Sequence, residues 1–309
     1  MTAVARPAAL ARTPRRRPAA RRGGPIARSA LLLPAVVLLL VFIAGPIVTS
    51  FVSSFTDASL TGPAARHASF VGFANYGRLF SSPDLPGSLL LTFLFVLASA
   101  IVGQNVLGMV LAVLLRAGGR VVGAVVSTIA IAAWVLPEIV AGFASYAFYS
   151  QTGTLNAVLG AFGVAPVPWL FVAPMLCVIM ANVWRGTSYT MLVYSAALQD
   201  VDPEITEAAE VDGASAWQSF FRITLPVIRS TIATNLMLIT LQTLSVFTLI
   251  WVMTRGGPQN RSMTLPVLAY QEAFQFSQLG YGTAIATVLL VVGGVFAAIY
   301  IRLLRRSPA

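Results

Sequence analysis

An all-α integral membrane fold with six transmembrane helices is what this sequence predicts, and three observations carry the expectation. Hydrophobic residues make up 57% of the 309-residue chain and charged residues only 10%, against about 25% charged in an ordinary soluble domain. The apolar residues gather in six runs, each long enough to cross a hydrocarbon core about 30 Å thick as a helix. The runs are continuous in Leu, Val, Ala and Ile, without the alternation of barrel strands. A mean hydropathy of +0.83 agrees.

Residues 1–28 are rich in Arg, Ala and Pro and read as a disordered basic tail. The first run, about 29–55, is too long for a cleaved signal core and reads as a retained span; with the loop behind it, it makes a unit over 29–86. The core, 87–304, holds the other five runs: about 87–115, 121–148, 169–198, 228–253 and 281–304. Residues 305–309 form a short tail. Pro34, Pro46, Pro137 and Pro174 sit in or beside these runs, which membrane helices tolerate. Six spans place both termini on one side, and the Arg count chooses it. With the N-terminus inside, 15 Arg are cytoplasmic and 4 are outside, with Arg185 inside the fourth run. Basic residues favour the cytoplasmic side, so both termini are expected there.

The rest of the composition excludes most chemistry. All 20 basic residues are Arg. Without Lys the chain has neither a phosphate-binding P-loop nor a Schiff-base lysine. A single His67 and a single Cys177 exclude a His/Cys metal cluster and an intrachain disulfide. His67 reads as a solvated loop residue and Cys177 as a small packed hydrophobe. The net charge of +10 follows the membrane flanks, with no aromatic-interleaved basic stripe for nucleic acid.

Between the fourth and fifth runs the chain changes character. Residues 199–226 hold six of the ten acidic residues: Asp200, Asp202, Glu204, Glu207, Glu210 and Asp212. Asp202-Pro203 predicts a helix start, with Asp as N-cap and Pro at the first position. Asp212-Gly213 predicts its stop. Ser215 and Gln218 have capping-box spacing and predict a second helix, with Trp217, Phe220 and Phe221 on one face. A connector lying on the membrane is the plain alternative, but acidic charge does not seek an anionic leaflet. A bent, acidic and aromatic elbow suits a protein partner.

The same loop carries Glu207-Ala208-Ala209, then Gly213 after three residues, then Ile223, Leu225 and Pro226 after nine more. This resembles the EAA loop of ABC importer permeases, spacing included. Gly72-Phe73-Ala74-Asn75-Tyr76-Gly77-Arg78-Leu79-Phe80, Gly256-Gly257-Pro258 and Tyr270-Gln271-Glu272-Ala273-Phe274 are similar to segments of sugar-type permeases. Together they resemble the MalF-like or UgpA-like half of a carbohydrate importer, from about residue 30 to 304. The resemblance implies a type I importer permease architecture in the bacterial inner membrane. It also implies a second, MalG-like permease subunit, two ATPase subunits holding ATP and Mg²⁺, and an extracytoplasmic solute-binding protein that delivers sugar. The chain itself would bind no cofactor. The loop would be the coupling helix that seats on the ATPase.

Polar side chains inside spans are costly unless they pair or line a cavity. Gln104, Asn105, Asn182, Trp184, Arg185, Tyr189, Asn235 and Gln242 are therefore candidates for a sugar cavity, with interhelical hydrogen bonding as their other use. Glu138 and Arg185 both fall near mid-depth and are expected to pair. An ion-coupled secondary transporter or channel is the alternative class, but Glu138 is the one carboxylate it could use, and the EAA loop would be unexplained. A membrane enzyme would lack a catalytic constellation.

Overall fold

The computed structural model describes residues 25–305. Most of the tail expected over 1–28, and residues 306–309 of the final tail, lie outside the described residues. The chain divides into two compact units, Met1–Thr49 and Ser50–Ala309.

In the first unit, α1 (Pro25–Leu39) passes through a π-wound turn, Leu40–Ala44, into α2 (Gly45–Ser53), which leads into the second unit. The helix thus takes in the last four residues, 25–28, of the expected tail. Pro34 sits inside α1 without ending it. Over Leu32–Ser53 the helix is strongly apolar and none of it is buried, as suits a segment whose solvent is hydrocarbon.

The second unit begins with α3 (Ala74–Phe80). Then α4 (Asp84–Phe95), a π-wound stretch Val96–Gln104 and α5 (Asn105–Ala117) form one continuous 34-residue helix. α6 (Arg120–Val135) and α7 (Glu138–Tyr149) follow, then α8 (Thr154–Ala161) and α9 (Trp169–Val172). Next comes the 26-residue α10 (Pro174–Gln199), with Pro174 at its first turn. The acidic loop folds as α11 (Pro203–Val211), α12 (Ala216–Ser219), a π turn Phe220–Thr224 and α13 (Leu225–Val227). The chain ends through α14 (Arg229–Leu244), α15 (Thr248–Met253), α16 (Leu265–Tyr270) and α17 (Leu279–Arg305). No strand occurs among the described residues; Thr56 and Phe70 form an isolated bridge.

α10 is the axis of this unit. Its buried residues include Cys177, Val178, Met191, Tyr194 and Leu198, and Cys177 is free and packed in apolar surroundings. α5 approaches α10 so closely that a Cβ on Gly108 would lie 2.5 Å from Thr190 Cγ2. A small residue at the crossing is how membrane helices gain contact when hydrophobic drive is absent. Arg116 donates to the Leu198 carbonyl at 3.1 Å, satisfying an end carbonyl of α10.

Three of the six expected spans are not single helices: 169–198 breaks near its start at Ala173, between α9 and α10, and two others break in their interior. The run 121–148 breaks at Leu136-Pro137, and the helices on either side are bent by 105°. Leu136 and Pro137 are both extended (ψ 130° and 140°), because a residue before proline is pushed out of the α region. The run 228–253 breaks at Ser245–Phe247, between α14 and α15. Among the described residues, three helices are long and apolar enough to cross a membrane, rising to five if the bent pairs Val121–Val135 with Glu138–Ala161 and Ala216–Val227 with Arg229–Leu244 (69°) each count as one span. α10 has the length, at 26 residues, but its polar residues face protein rather than lipid.

The segments that resemble permease motifs turn out to hold loops. Asn75 Nδ2 donates to the Ser54 and Thr56 carbonyls at 2.9 and 2.8 Å, and the Tyr76 hydroxyl meets Ser54 Oγ at 2.6 Å. Arg78 hydrogen-bonds Gln278, lies 4.0 Å from the Glu272 carboxylate and stacks 4.1 Å over the Tyr281 ring. Burial pushes the Glu272 carboxyl above its ordinary range; Arg78 opposes the shift and Asp84 adds to it. The folded state therefore holds this proton more tightly than the unfolded chain. Stability should fall as pH rises through the window above the ordinary value of 4.5. Glu272→Gln should flatten that part of the thermal-stability profile, which denaturation of the purified variant across pH 4–8 checks.

Candidate functional site

A cavity of about 270 Å³ opens beside the middle of α10, where the two helix breaks meet it. Gln104 comes from the end of the π-wound stretch, Asn182, Arg185, Gly186 and Tyr189 from α10, and Gln242 and Thr243 from α14. Trp134 and Glu138 flank the first break, and Ser245 and Val246 form the second. Of the sugar-cavity candidates, the cavity gathers Gln104, Asn182, Arg185, Tyr189 and Gln242. The spacing of Asn182, Arg185 and Tyr189 by three and four residues puts them on one helix face.

Hydrogen bonds fix the floor. Asn182 Nδ2 donates to Ser99 Oγ at 3.0 Å and reaches Thr243 Oγ1 at 3.5 Å, while its own carbonyl accepts from Gln104 Nε2 at 3.3 Å. One wall is aromatic: the Trp134 and Tyr189 rings stack with centroids 5.5 Å apart at 27°. Amides and hydroxyls beside a flat aromatic face suit a polyhydroxylated ligand with C–H patches.

Three expected residues lie elsewhere. Asn105 Oδ1 accepts from the Tyr194 hydroxyl and, at 3.4 Å, from Asn235 Nδ2; its own amide donates to the Ala100 carbonyl at 2.7 Å. Asn235 also reaches Thr190 Oγ1 at 3.3 Å and lines a neighbouring hollow with Ser230, Thr231 and Thr234. These two amides bind helix to helix. Trp184 is about half exposed and absent from the cavity wall; two residues from Asn182, it projects about 200° around the helix. Tyr194→Phe should therefore cost about 1 kcal/mol of stability and leave transport per molecule unchanged, measured by thermal unfolding beside uptake.

Glu138 and Arg185, expected to pair, both line the cavity, and no ion pair within 4.0 Å joins them. Glu138 is the first residue of α7, and its Oε1 accepts from the Leu249 N–H in the first turn of α15 at 3.3 Å. Two helix N-termini thus surround this carboxylate, and such ends favour negative charge. Arg185 Nε is buried and has no hydrogen-bond partner. Trp134, Ser245 and Val246 were not anticipated, because an aromatic or small residue in an apolar run gives no signal until the breaks are seen.

The acidic loop forms the elbow its caps predict. Asp202 Oδ1 accepts from the Glu204 N–H at 3.0 Å, and Ser215 and Gln218 make a complete capping box. Between them Gly213 has φ +82°. Its N–H donates to the Glu210 carbonyl at 3.0 Å, and the Ala214 N–H donates to Ala209 at 2.9 Å, the two bonds of a Schellman stop. Ala209 is buried, whereas Glu207, Ala208, Gly213 and Pro226 are exposed, and Ile223 and Leu225 are half-buried. The aromatic face differs from a core-packing one. The Trp217 and Phe221 rings meet with centroids 4.3 Å apart, tilted at 42°, with Trp217 73% and the neighbouring Val211 88% exposed.

The family model described as binding-protein-dependent transport system inner membrane component matches residues 104–308. The chain is 32% identical to the sulfoquinovosyl glycerol transport system permease protein SmoG of Agrobacterium fabrum, over 89% of each chain. It is 30% identical to the trehalose/maltose transport system permease protein MalF of Thermococcus litoralis, over 88% of this chain and 91% of that one. A crystal structure of a bacterial ABC transporter involved in import of the acidic polysaccharide alginate shares the fold. The TM-score is 0.78 at 24% identity, covering 91% of this chain and 96% of that one. With the helical architecture, the EAA elbow and these relatives in agreement, the chain belongs to the binding-protein-dependent inner membrane permeases of ABC importers, in their sugar-transport group.

Proposed function

We propose that this chain is one of two permease subunits of a carbohydrate importer, crossing the inner membrane six times with both termini in the cytoplasm. The six spans are the α1–α2 helix, Asp84–Ala117, the broken pair α6–α7, α10, α14 with α15, and α17. The distribution of Arg supports the orientation. A second, MalG-like permease closes the cavity from the other side. Two ATPase subunits bind ATP and Mg²⁺ and sit below, and an extracytoplasmic binding protein delivers the sugar. The binding-protein partner is supported by the alginate system, whose structure was solved with an alginate pentasaccharide-bound periplasmic protein.

The observation that carries this reading is the elbow. Glu207, Ala208, Gly213, Trp217 and Phe221 present a capped, acidic and aromatic surface that is exposed among the described residues. ATPase closure would push on that surface, and the push would reach the cavity through α10 and α14, which flank the loop and line the cavity. The cavity, with Gln104, Asn182, Arg185, Tyr189 and Gln242, would hold the sugar between inward and outward states. The helix breaks at 136–137 and 245–247 supply points at which outer halves can move against inner ones. Chemistry on the sugar is not part of the cycle; ATP hydrolysis drives it.

The test is reconstitution. The chain is co-expressed with the permease, ATPase and binding protein encoded beside it, and labelled-sugar uptake into proteoliposomes is followed with and without ATP. ATP-dependent uptake that requires the binding protein supports the proposal. Uptake driven by an ion gradient without the ATPase overturns it.

A further inference from the structure

We infer that the cavity selects a carbohydrate bearing an anionic substituent, such as a carboxylate, sulfonate or phosphate, and that Arg185 is the residue that recognises it. This rests on the importer reading above and names the substrate class of that same cavity. Two charged side chains line the cavity, Glu138 and Arg185; their formal charges are equal and opposite, and what distinguishes them is which has its hydrogen bonds met. The carboxylate has a partner within the chain: it stands at the first residue of α7 and its Oε1 accepts the Leu249 N–H at the start of α15. The guanidinium is not answered. It forms no ion pair with Glu138, its Nε is buried without an acceptor, and no aromatic ring lies under it.

A cation left so inside a membrane protein is costly unless something pairs with it. Glu138 shares the cavity, but its carboxylate accepts from Leu249 and makes no ion pair with Arg185, so the guanidinium's donors are open to a group from outside the chain. Guanidinium presents planar paired donors that match a carboxylate, sulfonate or phosphate group. The remaining wall fits the rest of such a ligand. The Trp134–Tyr189 stack offers a flat face to a sugar ring, and Asn182, Gln104 and Gln242 offer amides to its hydroxyls. A neutral sugar would use the aromatic wall and the amides and could offer Nε a hydroxyl oxygen, but it would bring no charge and no paired acceptors to match the guanidinium.

The test uses the full reconstituted transporter. Matched pairs of labelled sugars, each a neutral glycoside and its uronate, sulfonate or phosphate counterpart, are offered to wild-type, Arg185→Gln and Arg185→Lys complexes. Assembled complex is quantified beside uptake. The wild type is expected to prefer an anionic member. Arg185→Gln should lower its uptake at subsaturating concentration by at least about 30-fold, the usual cost of removing one member of a buried charge pair. Arg185→Lys should recover part of the loss, since it keeps the charge but not the fork. Equal or preferred uptake of neutral sugars, untouched by Arg185→Gln, overturns the inference while leaving the importer reading intact. A lower yield of assembled complex with normal uptake per complex also overturns it, because Arg185 would then serve a contact with the second permease. Absence of any ATP-dependent sugar uptake by the wild type overturns the importer reading and this inference with it.

Discussion

Gly213→Val is expected to abolish transport while leaving the membrane helices in place. The residue sits at φ +82° between two capped helices, a conformation that costs a β-branched residue about 1–2 kcal/mol or more. The strain falls on the Schellman bonds that Gly213 and Ala214 make to Glu210 and Ala209. Releasing them unties the stop of α11 and re-aims α12, so the exposed face of Glu207, Trp217 and Phe221 no longer presents one surface. Glu207→Arg attacks the same surface by charge alone, with the backbone intact. Both changes lie outside the long apolar helices. Uptake and binding-protein-stimulated ATP hydrolysis should fall together, each by at least about tenfold, which is 1.4 kcal/mol of coupling. The variants should still insert and pair with the second permease, and less ATPase should co-purify. Full ATPase occupancy with normal uptake in both variants would remove the elbow from the transmission path.

Glu138→Ala carries the second large effect. The carboxylate is the link between the two helix breaks, accepting the Leu249 N–H across 111 residues of chain. Removing it leaves a part-buried donor at the start of α15 unsatisfied, which costs about 1–3 kcal/mol. It also loosens α15 from α7, the two pieces that border the cavity. Thermal unfolding of the assembled transporter should shift down and uptake should drop. Glu138→Gln keeps a carbonyl acceptor at the same place and should restore most of the stability. If Glu138→Ala and Glu138→Gln unfold at the same temperature as the wild type, the hydrogen bond to Leu249 does not hold the breaks together.

Local chemistry was legible in the sequence, and tertiary choices were not. The caps at Asp202 and Ser215 and the stop at Gly213 depend on residues within a few positions of each other, so their spacing was enough to place α11 and α12. Polar residues in apolar runs pointed to the cavity, and Gln104, Asn182, Arg185, Tyr189 and Gln242 do meet there. The same signal drew in Asn105 and Asn235, which differ from the others by helical phase and by which neighbour they find. Pro137 was visible, but membrane helices tolerate proline, so the 105° break was not foreseen. Ser245–Phe247 contains neither Gly nor Pro. That break is set beside the distant Glu138, which caps the helix that follows, and no local pattern announces such a partner. The exposure of Trp217 and Phe221 was likewise hidden, because a helical apolar stripe reads the same whether it faces a core or a partner.

Cross-linking from the elbow tests the central claim most directly. Val211 is 88% exposed at the end of α11, and the chain's single cysteine, Cys177, is buried. Val211→Cys can therefore be labelled selectively with a photoreactive maleimide in the assembled transporter. If this chain is a permease whose elbow docks on the ATPase, irradiation should give one dominant adduct, containing this 32.7 kDa chain and an ATPase subunit. Its yield should change when ATP is added. An intact complex that gives adducts to lipid alone, or none to the ATPase with and without ATP, would contradict it.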